Sequence, residues 1–144
     1  QGMGNVPVEG GMIIATNHLH WWHLMRVYPY LLMAIHQSDK PYLLSAAAIK
    51  FLYPLSRLFF HPIYLNRHSM QKDFQVLGQC VDYLKHGQTL FISPEGTRNH
   101  GSLIKAKNGV AYLAYQSHMP VVPIAIYKEK AEALKSKIKK SEIK

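Results

Sequence analysis

Leu90-Phe91-Ile92-Ser93-Pro94-Glu95-Gly96-Thr97-Arg98 begins as an apolar triplet and breaks into a polar loop opened by a proline. The triplet has the length of a buried strand. Behind it, Phe74, Leu77, Val81 and Leu84 recur at helical spacing between Ser69, a good N-cap, and Gly87, a C-terminal stop. Cys80 lies beside that stripe. Ahead of the loop, Lys107 to Ser117 reads as a second helix and Val121 to Ile126 as a further strand. A strand held between two helices, with another strand beyond, predicts parallel pairing in an α/β layer.

The same alternation extends toward the start of the chain. Met12-Ile13-Ile14-Ala15 reads as a strand, and residues 24–35 have helical spacing. Tyr42-Leu43-Leu44 is strand-like, Ala46 to Phe60 is helix-like with a kink or stop expected at Pro54, and Pro62-Ile63-Tyr64-Leu65 is strand-like again. Five strands alternating with helices predict a single layer of largely parallel sheet flanked by helices. Ligands of such sheets bind outside the carboxyl ends of the strands. Those ends carry two loops: Thr16 to His23 after the first strand, and Ser93 to Ser102 after the fourth. Loops held by a rigid sheet are frequent carriers of catalysis.

With 144 residues, 48% of them hydrophobic, the chain can bury the core of one domain. It opens on Gln1 and stops within a lysine-rich run, which suggests a piece of a longer protein. The expected division is a domain over 1–127 and a basic helical extension over 128–144. In that extension seven lysines and three glutamates accompany Ala131, Leu134 and Ile138 at helical spacing. A net charge of +9 favours anionic partners. Nucleic acid explains the charge poorly, because no recognition motif accompanies it. The single cysteine, Cys80, excludes an internal disulfide framework and a multi-thiolate zinc site, and it suits a reducing compartment. No window reaches the roughly eighteen apolar residues of a membrane span.

Two groups of residues could carry chemistry. His18 follows the first strand and can act as a general base, since imidazole titrates near neutrality. In Pro94 to Arg98 a proline and a glycine shape a turn that presents a carboxylate, a hydroxyl and a guanidinium. This combination suits a phosphorylated polyol: arginine grips phosphate bidentately, glutamate accepts from a hydroxyl, and glycine admits close backbone approach. Zinc held by His18, His20 and His23 is the weaker alternative. No cysteine or carboxylate lies nearby to complete such a site, and it leaves the second motif unexplained.

Taken together, Asn17-His18 and Pro94-Glu95-Gly96-Thr97-Arg98 resemble the glycerolipid acyltransferase family. The resemblance continues in Ile63-Tyr64-Leu65-Asn66-Arg67, an apolar strand ending in arginine, and in Val121-Val122-Pro123-Ile124-Ala125-Ile126. It implies acyl transfer from a thioester, on coenzyme A or acyl carrier protein, to a hydroxyl of lysophosphatidic acid or a related glycerol phosphate. No other cofactor and no metal is implied. By this resemblance His18 is the base, Arg67, Arg98 and Lys107 hold the acceptor phosphate, and Glu95, Gly96 and Thr97 shape the acceptor pocket. Pro123 is assigned no chemistry. The implied setting is peripheral, at the cytoplasmic face of an anionic membrane.

One position departs from the family pattern. Five residues after His18 the family has an aspartate, and this chain has His23. A carboxylate there would fix the imidazole tautomer and stabilise the imidazolium as the proton arrives. Removing that charge in a serine protease triad costs roughly 10⁴ in turnover. Neutral His23 can orient His18 but supplies no counter-charge. Asp39 and Asp73 are the other carboxylates considered, and the sequence places neither beside His18. A silent homologue that binds phospholipid or acyl carrier without turnover is therefore the second reading.

Overall fold

A computed structural model describes residues 6–7, 10–17, 41–46, 57, 60–65, 69–97 and 104–125. Among the described residues five strands and two helices follow in chain order: β1 (Met12–Thr16), β2 (Tyr42–Ala46), β3 (His61–Leu65), α1 (Met70–Lys85), β4 (Thr89–Ile92), α2 (Gly109–Ser117) and β5 (Val121–Ile124). The strands form one sheet in the order β3-β2-β4-β1-β5, and every pairing is parallel. The α/β layer expected from the alternation is present.

Alternation along the central strands assigns residues to the two faces of the sheet. Ile13 of β1 and Leu90 and Ile92 of β4 meet Cys80, Val81 and Leu84 of α1 and Leu113 of α2. Met12, Ile14 and Phe91 turn to the other face, where they cluster with Phe60. The rings of Phe60 and Phe91 meet edge to face at 5.7 Å. Both faces of β1 and β4 are thus buried, as parallel strands require. Each such side chain removed from water contributes about 1.5–3 kcal/mol.

Helix α1 begins and ends as its sequence dictates. The Ser69 hydroxyl accepts from the Lys72 N–H at 3.5 Å, at the N-cap. At the other end Gly87 takes φ +80°. Its N–H donates to the Leu84 carbonyl and that of Gln88 to the Tyr83 carbonyl, both at 3.0 Å, which is the paired bonding of a Schellman stop. Gly11, just before β1, lies against this end of the helix: a Cβ there would overlap the Leu84 carbonyl oxygen.

Several boundaries differ from the sequence reading. Helix α2 begins at Gly109 rather than Lys107, because the Lys107 N–H is drawn to the Pro94 carbonyl at 2.8 Å. Strand β5 ends at Ile124, short of Ile126. Ala46 closes β2, and Phe60 leads into β3, so the helix expected over Ala46 to Phe60 loses both ends. Its interior (except Arg57, which lies in a turn), the helix expected over 24–35 and the extension over 128–144 lie outside the described residues. Cys80, placed beside the helical stripe, is fully buried in the core, while Phe74 of that stripe is 55% exposed. Phe74 lies four residues into α1, where its ring leans on Tyr112 of α2 at 6.3 Å. The margins β3 and β5 each carry a proline, Pro62 and Pro123, a residue tolerated at sheet edges because it offers no ladder donor.

Candidate active site

The order of strands marks one place on the sheet. From β1 the chain must travel across β4 to reach β2, and from β4 it travels the other way, through α2 and across β1, to reach β5. Adjacent strands whose connections run in opposite directions form a topological switch point, and open parallel sheets bind ligands outside the carboxyl ends of such strands. The two motifs leave the sheet at this place: Asn17 follows β1, and Ser93 to Thr97 follow β4.

The loop after β4 is built as a closed turn. The Gly96 N–H donates to the Ser93 carbonyl at 3.0 Å, with Pro94 at the second turn position, where its fixed φ fits. Gly96 itself takes φ +65°. Glu95 turns inward and is only 4% exposed, a burial that a carboxylate tolerates only with hydrogen-bond donors around it. One of these is the Ile104 N–H, which donates to Glu95 Oε1 at 3.4 Å. Together with the Lys107 N–H on the Pro94 carbonyl, this bond draws residues 104–107 back over the turn.

Lys107 is thereby laid across Gly96. A Cβ on Gly96 would meet the lysine Cδ at 3.2 Å and its Cε and Nζ at 3.3 Å. The glycine gives the alkyl chain a bed, and Lys107 remains an exposed residue just before α2. Helix α2 adds a positive end of its own, because Asn108 makes no side-chain cap bond and the first turn carries no acidic residue. An anion approaching the Gly96 turn thus meets a lysine and the start of a helix, a pairing suited to phosphate.

Of the eight candidate site residues, the structure describes four: Glu95, Gly96, Thr97 and Lys107. It brings Glu95, Gly96 and Lys107 into one small assembly, with Thr97 exposed at its rim. His18, His23, Arg67 and Arg98 lie outside the described residues, as do His20 and Asp39. Asp73 is half-buried in the first turn of α1. Ser93 was not among the candidates. Its hydroxyl donates to the Thr16 carbonyl at 3.0 Å and so joins the end of β4 to the residue before Asn17. A hydroxyl residue directly before a proline at a strand end was the available signal.

Comparison with known proteins bears on the family of the chain. The family model described as Acyltransferase matches residues 1–127. The chain is similar to a 1-acyl-sn-glycerol-3-phosphate acyltransferase of Borreliella burgdorferi, 25% identical over 132 residues that cover 88% of this chain and 49% of the relative. It is 30% identical over 117 residues to the human 1-acyl-sn-glycerol-3-phosphate acyltransferase beta, covering 78% of this chain and 40% of the relative. A chloroplastic Brassica napus protein, 1-acyl-sn-glycerol-3-phosphate acyltransferase BAT2, is 28% identical over 131 residues, covering 88% of this chain and 36% of the relative. The chain thus spans half or less of the length of these relatives.

Proposed function

The chain belongs to the acyltransferase family, and from that premise we propose that it transfers an acyl group from a thioester to a free hydroxyl of lysophosphatidic acid or a related glycerol phosphate. The observation that carries this reading is the Lys107 side chain laid over Gly96 at the switch point, beside the strand end that leads to Asn17-His18. In the proposed reaction His18 accepts the proton of the acceptor hydroxyl as its oxygen attacks the thioester carbonyl carbon. The carbon–sulfur bond then breaks, and the thiolate leaves with the proton returned by His18. Arg67, Arg98 and Lys107 neutralise the acceptor phosphate, while Glu95, Gly96 and Thr97 shape the pocket. The donor is acyl-CoA or acyl carrier protein, and the domain works at an anionic membrane surface on the cytoplasmic side, where a +9 chain is drawn.

One observation favours a second reading. His23 stands where the family pattern has an aspartate, and an imidazole cannot stabilise the imidazolium by charge. In that reading the scaffold binds its phosphorylated lipid and turns nothing over.

One assay separates the two. Free thiol release is followed with lysophosphatidic acid or glycerol 3-phosphate as acceptor, for the native chain, His18→Ala and His23→Asp. Acyl transfer predicts thiol release that depends on acceptor and falls at least 10²-fold in His18→Ala. Turnover appearing only in His23→Asp supports the silent homologue, and release unaffected by His18→Ala removes the histidine from the mechanism.

A further inference from the structure

The bond between Ser93 and Thr16 has a reason in the geometry of the ladder. In a strand the N–H and C=O of one residue point to the same side, and successive residues alternate. The Ile13 N–H donates to the Pro120 carbonyl at 2.9 Å, so Ile13 addresses β5, and Met12, Ile14 and Thr16 address β4. Ala15 is level with Ile92, which sets Thr16 level with Ser93. In a parallel ladder the Thr16 carbonyl would accept from the N–H of the residue after Ser93. That residue is Pro94, which has no N–H. The Ser93 hydroxyl supplies the missing donor at 3.0 Å.

We propose that Ser93 is a positioning residue: by completing the β1–β4 ladder where Pro94 cannot, it fixes the strand end leading to His18 at a set spacing from the Glu95–Lys107 assembly. The effect on turnover rests on the acyl-transfer reading; the tether itself does not. Ser93 never touches substrate in this account. Its removal lets Thr16 and Asn17 drift away from the loop after β4, and small displacements of a base from the hydroxyl it serves are costly to rate. Proline starts the turn that presents Glu95 and Gly96, and the serine before it repairs the ladder that the proline interrupts.

The test follows backbone amide hydrogen exchange and acyl-transfer kinetics together in Ser93→Ala and Ser93→Thr. In Ser93→Ala, exchange over residues 16–17 should quicken roughly 3- to 10-fold, the weight of one net hydrogen bond, with Ile13 and Leu90 unchanged. The same variant should lose about tenfold or more in kcat with acceptor KM within about twofold, since the Lys107 contact with Gly96 is intact. Ser93→Thr keeps a hydroxyl and should restore both. Native exchange at residues 16–17 in Ser93→Ala overturns the tether, and faster exchange with native kcat overturns the positioning role. Faster exchange in a chain that consumes no thioester supports the tether and overturns the acyl-transfer reading instead.

Discussion

Gly96 joins two requirements at one α-carbon. Its φ of +65° is a region that side chains avoid, and its open face is the bed of the Lys107 alkyl chain. Gly96→Ala should therefore act on the site more than on the fold. The methyl group displaces a flexible side chain rather than backbone, so stability should fall by about 1–2 kcal/mol, while acceptor KM rises by roughly tenfold as the ammonium is pushed from its place. A KM that stays put while the protein melts earlier would assign Gly96 to folding alone. The turn that holds Glu95 and Gly96 was legible because a proline and a glycine shape it. The path of Lys107 was not, since it is carried back over the turn by the bonds from the Ile104 N–H to Glu95 and from its own N–H to Pro94.

Helix α1 was the most legible element, because its signals are local. Ser69 and Gly87 each act within a few residues, and each appears in its expected role. Gly87→Ala should cost about 1 kcal/mol through the left-handed stop it must form, lowering the melting temperature by roughly 3 °C in a chain of this size. An unchanged melting temperature would show that the stop contributes nothing. Helix α2 was harder to bound. It ends at His118, a non-glycine residue at φ +58°, held there as the Ser117 hydroxyl donates to the Leu113 carbonyl and accepts from the Met119 N–H. Phe74 misled for a related reason: it has the spacing of a core residue, but near the start of the helix it is left more than half exposed.

Across the whole molecule, alternating strands and helices announced an α/β layer, but no local pattern states that β1 lies between β4 and β5. That order comes from packing two buried faces at once, and it creates the switch point. The same packing encloses Cys80, whose thiol burial pushes up to about 12 from an ordinary 9.0. Below pH 9.0 the thiol is protonated in both folded and unfolded chains and its contribution is level. Above it, the unfolded chain releases the proton and the folded chain keeps it, so stability should fall by about 1.4 kcal/mol per pH unit until the folded thiol ionises near 12. Denaturant melts at about pH 8 and about pH 10 should show this excess loss in the native chain and not in Cys80→Ala; equal losses would mean that the thiol meets water in the folded state.

The position of β1 also governs how the protein is made. Met12 pairs with Thr89, and Ile13 with Val121, so β1 acquires its neighbours only after these distant segments have been made. Until Ile92 has been made, neither flank of Met12-Ile13-Ile14 can hold its native partner, and until Ile124 has been made, one flank stays open. Contacts this distant in sequence form slowly, and an apolar strand with an open edge is prone to aggregation while it waits for them.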